Sequence, residues 1–164
     1  MKRFIILPLF LMWLVGSPFV SGLGEVVNFS PCEESPGNCV VHEVRINPCA
    51  EAEEHQPCKV KRGKSATIEF DYTAQWNTER AYGQVYSVTD DGDLPMAGMN
   101  TNACENTPCP IQNGVKQTYA YTLPLSKKFP VGTYTIKWIL RDGNQAKDDT
   151  TERCCFTTKI KLAK

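Results

Sequence analysis

The sequence lacks most of the residues and motifs on which catalytic sites depend. It has only two histidines, His42 and His55, and no Gly-x-Ser-x-Gly elbow, phosphate-binding glycine loop or His-Glu-x-x-His motif. Carboxylates are plentiful, but paired catalytic acids need a defined separation that a sequence does not reveal. We therefore expect no enzymatic activity and no cofactor.

Patterns for binding metal ions and nucleic acids are absent as well. His42 follows Cys39 by three residues and His55 precedes Cys58 by three, but the chain has no Cys-x-x-Cys pair. Structural zinc sites usually show two closely spaced ligand pairs. The 18 basic and 18 acidic residues balance, whereas nucleic-acid binding needs clustered positive charge. We expect neither a metal ion nor nucleic acid as a partner.

The first 22 residues have the pattern of a secretory signal peptide. Lys2 and Arg3 precede an apolar run over residues 4–15, which is too short to cross a membrane core, since crossing needs about 20 residues. No other run in the chain is long enough to act as a membrane anchor. We predict cleavage near residues 22–24, which leaves one domain over residues 25–164. Small residues at the predicted cleavage region are Ser17, Ser21, Gly22 and Gly24.

All eight cysteines lie in this predicted mature domain. Because their number is even and the signal peptide implies an oxidising compartment, we expect disulfides. Cys104 and Cys109 flank a short turn, and Cys49 and Cys58 flank a short polar loop, so closing either loop costs little entropy. Spacing leaves the pairing of the others open; they are Cys32, Cys39, Cys154 and Cys155.

Short segments of alternating polarity make up most of the mature chain. The clearest is 65–74, where Ile68, Phe70 and Tyr72 alternate with polar residues, as in a half-buried strand. Pro124 places another segment at a sheet edge or bend. No stretch has strong helical periodicity, so we predict an all-β fold of about seven strands, an immunoglobulin-like sandwich or a barrel. The other predicted strands are 25–29, 40–46, 80–89, 117–125, 133–140 and 156–162.

The two histidines are interpreted as structural or solvated residues. Alternation from Val40 onward places His42 on one face with Val40, Val44 and Ile46, where a histidine is more often packed than catalytic. His55 lies in a glutamate-rich loop and is expected to be solvated.

Two polar surface features have a functional alternative. A basic cluster is interpreted as a solvated strand edge that discourages edge pairing, and the alternative is contact with an anionic membrane or lipid headgroup. Asn28 begins the one N-glycosylation sequon of the chain, which Pro31 is expected to weaken. The residues of the basic cluster are Lys59, Lys61, Arg62 and Lys64.

A series of short motifs occurs in a particular order along the chain. No single motif is specific, but the ordered set spans nearly the whole mature chain, and it resembles the ML lipid-recognition domain family. The sequence is most similar to the Niemann–Pick C type of soluble sterol carrier and its arthropod relatives, including the mite group-two allergens. The motifs are Val-Asn-Phe-Ser-Pro-Cys (27–32), Val-Arg-Ile-Asn-Pro-Cys (44–49), Pro57-Cys58, Arg-Gly-Lys (62–64), Cys104 to Cys109 with Pro110-Ile111, Tyr119-Ala-Tyr121, Leu123-Pro124-Leu125, Lys128-Phe129-Pro130 and Ile136-Lys137-Trp138.

The resemblance implies a disulfide-stapled, immunoglobulin-like β-sandwich with a lipid held in an apolar cavity between the sheets. It implies the local pairs Cys49–Cys58 and Cys104–Cys109, and a bridge from Cys32 to a late cysteine. We take this as Cys32–Cys155, because Phe156 corresponds to an aromatic residue of the sterol carriers. Cys39–Cys154 would then be a fourth bridge, beyond the family set, and exchanging Cys154 with Cys155 is the alternative.

The resemblance also implies which residues contact lipid. Apolar mouth residues of the sterol carriers map to Met96 after Pro95, to Leu125, and to Phe129 before Pro130. The strand tryptophan maps to Trp138. The mouth stretch 90–96 is acidic here, and methionine is less shape-selective than a ring, so a fatty acid rivals a sterol as ligand. Inward-facing candidates, each with plain core packing as the alternative, are Ile46, Ile68, Phe70, Tyr72, Tyr119, Tyr121, Ile136 and Trp138.

Together these observations predict a secreted, monomeric carrier of a small hydrophobic ligand, either a sterol or a fatty acid. It would act in body fluid or in the lysosome, with transient contact to a membrane or receptor as a further partner. The first alternative is a recognition protein for microbial lipids such as lipopolysaccharide. The second is an adhesive sandwich without a cavity.

Overall fold

The computed structural model describes residues 24–33, 37–144 and 152–164. In these ranges it has ten strands and two three-residue 3₁₀ helices, Ala52–Glu54 and Ala103–Glu105. The predicted signal peptide, residues 1–22, lies outside the described residues, so its cleavage stays a prediction. The strands are β1 (Glu25–Val26), β2 (Ser30–Pro31), β3 (Cys39–Asn47), β4 (Cys58–Lys61), β5 (Ser65–Ala74), β6 (Ala81–Thr89), β7 (Gly92–Pro95), β8 (Lys116–Pro124), β9 (Gly132–Asp142) and β10 (Arg153–Ala163).

Strand β5 shows how the alternating pattern produces the fold. Ile68, Phe70 and Tyr72 are buried, while the polar residues between them are only partly buried on the opposite face. Successive side chains of a strand point to opposite faces, so this sequence covers an interior with one side and meets solvent with the other. The predicted strand is confirmed with the same first and last residues, Ser65 and Ala74.

Two sheets face each other across one apolar interior. The first has the order β1-β3-β5-β8, with antiparallel neighbours. The second has the antiparallel order β2-β10-β9-β6-β7, and β4 joins β10 as a parallel strand. The predicted immunoglobulin-like β-sandwich is confirmed, and β8, which ends at Pro124, is an edge strand as expected.

The described residues contain more strands than the seven or so predicted. The predicted strand 25–29 is wrong, because the chain crosses from the first sheet to the second at 27–29 and forms β1 and β2 on either side. β4 has only four residues, with Cys58 and Val60 buried. The acidic stretch expected as part of a mouth loop instead forms β7, an exposed edge strand beside β6. Short strands are difficult to predict because they contain only one or two full alternations.

Strand β3 departs from simple alternation. Its pairing with β5 shifts between Val41 and Glu43. As a result Val40 is 49% exposed and His42 is exposed, whereas Val44 is fully buried. The prediction that Val40 and His42 share the buried face is therefore wrong, because a bulge moves them to the outer face. There His42 Nε2 lies 2.8 Å from Thr73 Oγ1.

Four disulfides account for all eight cysteines: three are the pairs expected from the resemblance, and the fourth, Cys39–Cys154, is the expected additional bridge, without the exchange of Cys154 and Cys155. Cys154 and Cys155 are neighbours in β10, so their side chains point to opposite faces. Cys154 reaches across the interior to Cys39 at the start of β3, with 5.0 Å between the Cα atoms. Cys155 bonds to Cys32, next to β2 in its own sheet. The local bridges are Cys49–Cys58 and Cys104–Cys109.

The outer face of the first sheet carries an ion-pair network centred on Arg45. Its guanidinium donates to Glu69 Oε1 from Nε at 2.8 Å, to Asp71 Oδ1 from Nη2 at 2.9 Å, and to Glu43. Lys116 Nζ lies 3.0 Å from Asp71 Oδ2. The hydrogen bond from Arg45 holds the pKa of Asp71 well below its usual range, against the opposing effect of burial.

Candidate functional site

The interior between the sheets contains a cluster of aromatic rings. Phe70 stacks on Tyr119 with ring centroids 5.0 Å apart, and Phe156 meets Phe70 edge-on at the same distance. Trp138, from the opposite sheet, lies 5.6 Å from Tyr119 and 5.9 Å from Tyr121. Aromatic pairs at these separations pack favourably, so this part of the interior is dense and apolar.

An apolar cavity of about 20 Å³ lies beside this cluster, between the two sheets. None of its lining residues is charged. A volume of this size holds about one water molecule, whereas ligand pockets usually have about 300–1,000 Å³. The location of the predicted cavity thus agrees with the structure, but facing side chains must separate before a lipid fits. The lining residues are Ile46, Val60, Ala66, Thr67, Ile68, Leu123, Ile136, Trp138 and Ile160.

The predicted inward-facing residues are all buried, in two groups. Four of them line the cavity: Ile46, Ile68, Ile136 and Trp138. The other four do not line the cavity and are buried elsewhere in the interior: Phe70, Tyr72, Tyr119 and Tyr121. Burial alone is what core packing also produces, so their contact with a lipid stays a prediction.

The predicted mouth residues occupy the loops that follow β7 and β8. Leu125 is buried at 2% exposure, Met96 and Phe129 are partly buried against the core, and Pro130 is exposed. Backbone hydrogen bonds join Leu125 to the β4–β5 turn, from its N–H to the carbonyl of Lys64 at 2.9 Å. Leu125 and Phe129 follow the end of β8 whose Leu123 lines the cavity, while the backbone N–H of Met96 donates to the carbonyl of Val85 in β6. The role of these residues in lipid uptake stays a prediction.

Arg62 is not the solvated surface residue that the basic cluster suggested. It is half-buried, and its Nη1 donates to the carbonyl oxygens of Phe129 at 2.8 Å and Lys127 at 3.2 Å. A Cβ built on Gly63 would lie 2.7 Å from Cγ of Lys127, so the aliphatic part of Lys127 packs closely on this glycine. Arg62 therefore ties the β8–β9 loop to the β4–β5 turn, while Lys59, Lys61 and Lys64 are exposed as predicted.

Three aromatic side chains of the interior have a polar atom without a hydrogen-bond partner among the described residues: Tyr119 Oη, Trp138 Nε1 and Trp76 Nε1. The neighbouring tyrosines do have partners. Tyr72 Oη lies 2.9 Å from the hydroxyl of Thr107, and Tyr121 Oη accepts the backbone N–H of Asn100 at 3.0 Å. Burial raises the pKa of Tyr119, and it raises that of Tyr72 to about 12. A buried polar group without a partner costs about 1–3 kcal/mol.

Gly83 of β6 provides the space for the hydroxyl group of Tyr119. A Cβ built on Gly83 would lie 2.8 Å from Tyr119 Oη and 3.3 Å from the nearest ring carbon. Cβ atoms essentially never come so close to a heavy atom, so any larger residue at position 83 would push against the ring. The glycine thus sets how closely β6 approaches the tyrosine.

A larger groove of about 420 Å³ lies outside the sandwich, along the edge of β10. β2 pairs with residues 156–157 of β10 and β4 with residues 160–163, and the groove occupies the gap between them. Its lining mixes hydroxyl, amide, basic and apolar side chains, unlike the interior cavity. Its walls come from separate segments with no common sequence pattern, so the sequence does not predict it: 27–30, Ala52, 55–58, Thr135 and 157–159. Asn28, the candidate glycosylation site, lies on its wall.

The described residues contain no group of three or more His, Cys, Asp or Glu side chains that could hold a metal ion. No helix in the part of the chain that the structure describes is long and apolar enough to cross a membrane.

The facing sheets, the four disulfides and the cavity between the sheets together define an ML-type sandwich. Residues 26–162 match the family model of the ML domain. The chain therefore belongs to the ML domain family, and the resemblance noted in its motifs is confirmed.

Individual relatives show which branches of the family are similar. The MD-2-related lipid-recognition protein of Manduca sexta is 39% identical over 141 residues, covering 85% of this chain and 87% of the relative. NPC intracellular cholesterol transporter 2 of Canis lupus familiaris is 27% identical over 126 residues, covering 76% and 80%. A Niemann-Pick type C2 protein from the Japanese carpenter ant has the same fold, with a TM-score of 0.68, 18% identity, and coverage of 83% of this chain and 99% of that structure.

Proposed function

We propose that the protein is a secreted lipid carrier that binds a sterol or a fatty acid between its two sheets and catalyses no reaction. The observation that carries this proposal is the cavity between the sheets, whose walls come from both sheets and include no charged residue. Two relatives support it, since their names describe lipid recognition and cholesterol transport. Four disulfides support an extracellular or lysosomal place of action, because such bonds persist in oxidising compartments.

The hydrophobic effect is large enough to drive binding. A lipid that buries about 400 Å² of apolar surface gains about 10 kcal/mol at about 25 cal/mol per Å². Association and the ordering of the ligand remove several kcal/mol. Separating the packed side chains removes more of this free energy, because contacts between the two sheets are lost before the ligand replaces them. A dissociation constant near 1 μM needs about 8 kcal/mol net, so a micromolar carrier must bury more than this 400 Å² of apolar surface.

In this proposal the lipid passes between the loops that follow β7 and β8. Met96, Leu125 and Phe129 form the apolar mouth there, and all three are at least partly covered by the core. The side chain of Phe129 lies in the loop after β8 and is only partly buried, so it can move without breaking a sheet, whereas the backbone of Leu125 is held by the β4–β5 turn. Beyond them lie the cavity residues Ile136 and Trp138.

The test is to identify the lipid that the protein retains. The chain is expressed in secreting animal cells and purified without detergent, and its lipids are extracted and analysed by mass spectrometry. Fluorescent sterol and fatty-acid probes are then titrated into delipidated protein. We expect one lipid class at a stoichiometry near one per chain and saturable probe binding. If no lipid copurifies and neither probe binds, the protein is not a carrier.

Recognition of microbial lipid is a second candidate function. It is favoured by the 39% identity to the MD-2-related lipid-recognition protein, which is higher than the 27% identity to the cholesterol transporter. Competition distinguishes the two functions: lipopolysaccharide should displace a bound sterol probe at lower concentration than sterol does if recognition is correct. The reverse order supports the carrier.

A further inference from the structure

Four exposed lysines lie on the outer face of the second sheet, where β4 pairs with β10. The register places Lys59 directly opposite Lys161. Lys61 follows Lys59 by two residues and Lys159 precedes Lys161 by two, and residues two apart on a strand share a face. The four side chains therefore form a strip about 13 Å long, called the lysine strip below. Its two halves lie far apart along the chain, so only the fold brings them together.

The stability of the fold does not account for the lysine strip. Like charges directly opposite each other on paired strands are destabilising, as Lys59 and Lys161 are. Lysines on an edge strand discourage pairing with other chains, which would explain those of β4. Lys161, however, belongs to β10, which is paired on both sides at this residue, with β4 and with β9. Protection of an edge gives no reason for a lysine there.

Little of the charge of the lysine strip is neutralised within the protein. Lys59 Nζ lies 3.4 Å from Glu51 Oε1, yet the side chain of Lys59 remains 56% exposed. Lys61, Lys159 and Lys161 are exposed, and no ion pair among the described residues includes them. The chain as a whole has equal numbers of basic and acidic residues. Attraction of an anion to this face would thus be local to the strip.

The groove along the edge of β10 begins at one end of the lysine strip. Lys159 lines it together with His55, Gln56 and Thr157, and no acidic residue is among the side chains of its lining. Its volume of about 420 Å³ lies within the usual range of ligand pockets. The lining combines amide and hydroxyl groups with the apolar ring of Phe29. This mixture suits a sugar unit, whose edges carry hydroxyl groups and whose faces carry C–H groups.

The neighbouring side chains favour a sulfated sugar chain over an anionic membrane as the ligand. The register of β9 places Thr133 beside Lys161 and Thr135 beside Lys159, so hydroxyl groups flank these lysines. Binding to a membrane surface depends on inserted apolar area as well as on charge. Sulfate groups instead need cations and hydrogen-bond donors, which lysines and threonines supply.

We propose that the lysine strip and the groove together bind a linear sulfated polysaccharide, with its sulfate groups against the lysines and one sugar unit in the groove. This surface function goes beyond the lipid-carrier function, because it uses none of the residues that line the cavity between the sheets. It would hold the secreted protein on an extracellular sulfated matrix while the interior stays available to a lipid.

The experiment titrates a heparin hexasaccharide into the full chain and its variants. We expect saturable binding that weakens as salt is added, because salt screens exposed charges. Lys161→Gln should weaken binding about two- to fivefold, and its combination with Lys59→Gln about five- to twentyfold. Lys116→Gln is the matched control, because it removes an exposed lysine from the outer face of the first sheet, and it should leave the affinity unchanged.

The groove is tested by Gln56→Ala, which should weaken binding of the hexasaccharide about two- to tenfold through the loss of a hydrogen bond. Gln112→Ala is its control, because Gln112 is an exposed glutamine that does not line the groove. Equal affinities of Gln56→Ala and Gln112→Ala would overturn the assignment of a sugar unit to the groove.

Three results would overturn the proposal as a whole. They are no binding of the hexasaccharide, equal losses in Lys161→Gln and Lys116→Gln, and binding of the wild type to phosphatidylserine vesicles but not to the hexasaccharide. Aggregation of the double lysine variant with unchanged affinity would show that the strip protects an edge, which also contradicts the proposal. Sterol and fatty-acid probes report on the interior separately, so each of these results leaves the carrier function standing, and loss of probe binding alone leaves this proposal standing.

Discussion

Removing the two bridges to β10 separately and together should reduce stability in a strongly non-additive way. Cys32–Cys155 and Cys39–Cys154 connect the same two regions of the chain, although the partners are 123 and 115 positions apart. With one bridge in place, the other closes only a small ring, residues 32–39 together with 154–155. Either bridge alone is therefore nearly sufficient to constrain the long loop.

The loop-closure model gives the sizes of these effects. Closing a ring of about ten residues stabilises by about 2.7 kcal/mol at 25 °C, and closing a loop of about 120 residues stabilises by about 4.9 kcal/mol. Removing either bridge should thus lower the free energy of unfolding by about 2.7 kcal/mol, whereas removing both should lower it by about 7.5 kcal/mol. The combined loss exceeds the sum of the single losses by about 2 kcal/mol.

Urea unfolding without reductant measures these losses in three variants. In one, Cys32 and Cys155 are replaced by alanine; in the second, Cys39 and Cys154 are; in the third, all four are. The packing lost with each sulfur atom is common to the single and combined variants, so it cancels in the difference. Sucrose favours the compact state and keeps the weakest variant folded for the measurement. A combined loss that equals the sum of the single losses within about 0.5 kcal/mol would refute the reasoning.

Three further substitutions follow from the structure. Arg45→Met should lower the free energy of unfolding by about 1–3 kcal/mol at pH 7. Arg45 depresses the pKa of Asp71 below its ordinary value of about 3.9, so the difference in unfolding free energy from wild type, measured in urea, should stay constant from pH 7 to pH 5 and shrink only below about pH 4. A difference that shrinks at higher pH would contradict this. Gly83→Ala should cost about 1–3 kcal/mol, since the new Cβ would lie 2.8 Å from Tyr119 Oη; Tyr119→Phe should recover much of this loss, and equal losses in both backgrounds would exclude the contact. Phe129→Ala should weaken the uptake of a sterol or fatty-acid probe about tenfold. The midpoint of thermal unfolding should change little, because Phe129 is only partly buried. Unchanged uptake would exclude Phe129 from the site.

Val115→Ala is the matched control for the substitution of Phe129. Val115 is a 42% exposed apolar residue just before β8, at the end opposite to Leu125. Its truncation should leave probe uptake unchanged, so a loss in both variants would indicate a general effect on the fold.

The long strands could be predicted from the sequence, and the short ones could not. Strand β5 has five full alternations, enough for the period of two to stand out, and its bounds agree with the prediction. Strand β4 has four residues and gains its place through parallel pairing with β10, a contact between distant segments. The bulge near His42 was missed because an inserted residue changes the face of its neighbours without changing the composition of the strand.

The apolar interior could be predicted, but its volume and its hydrogen bonds could not. Alternation identifies Tyr72, Tyr119 and Tyr121 as equivalent inward-facing residues. Their difference arises in the loops, which bring partners to Tyr72 and Tyr121 and none to Tyr119. Likewise the size of the cavity depends on how side chains from two sheets interlock, which no periodicity describes. Arg62 was expected to be solvated because charge alone does not show that loop carbonyls lie within reach.

The placement of the disulfides also determines how the sandwich can open. Cys39–Cys154 joins the sheets at the end away from the cavity, and Cys49–Cys58 joins the segment after β3 to β4 along one long edge. No bridge spans the opposite edge, between β8 and the β6–β7 pair, where Met96 and Leu125 lie. Because these bridges lie along one side, we expect any separation of the layers to be a hinged rotation about that side, widest at the edge between β8 and the β6–β7 pair.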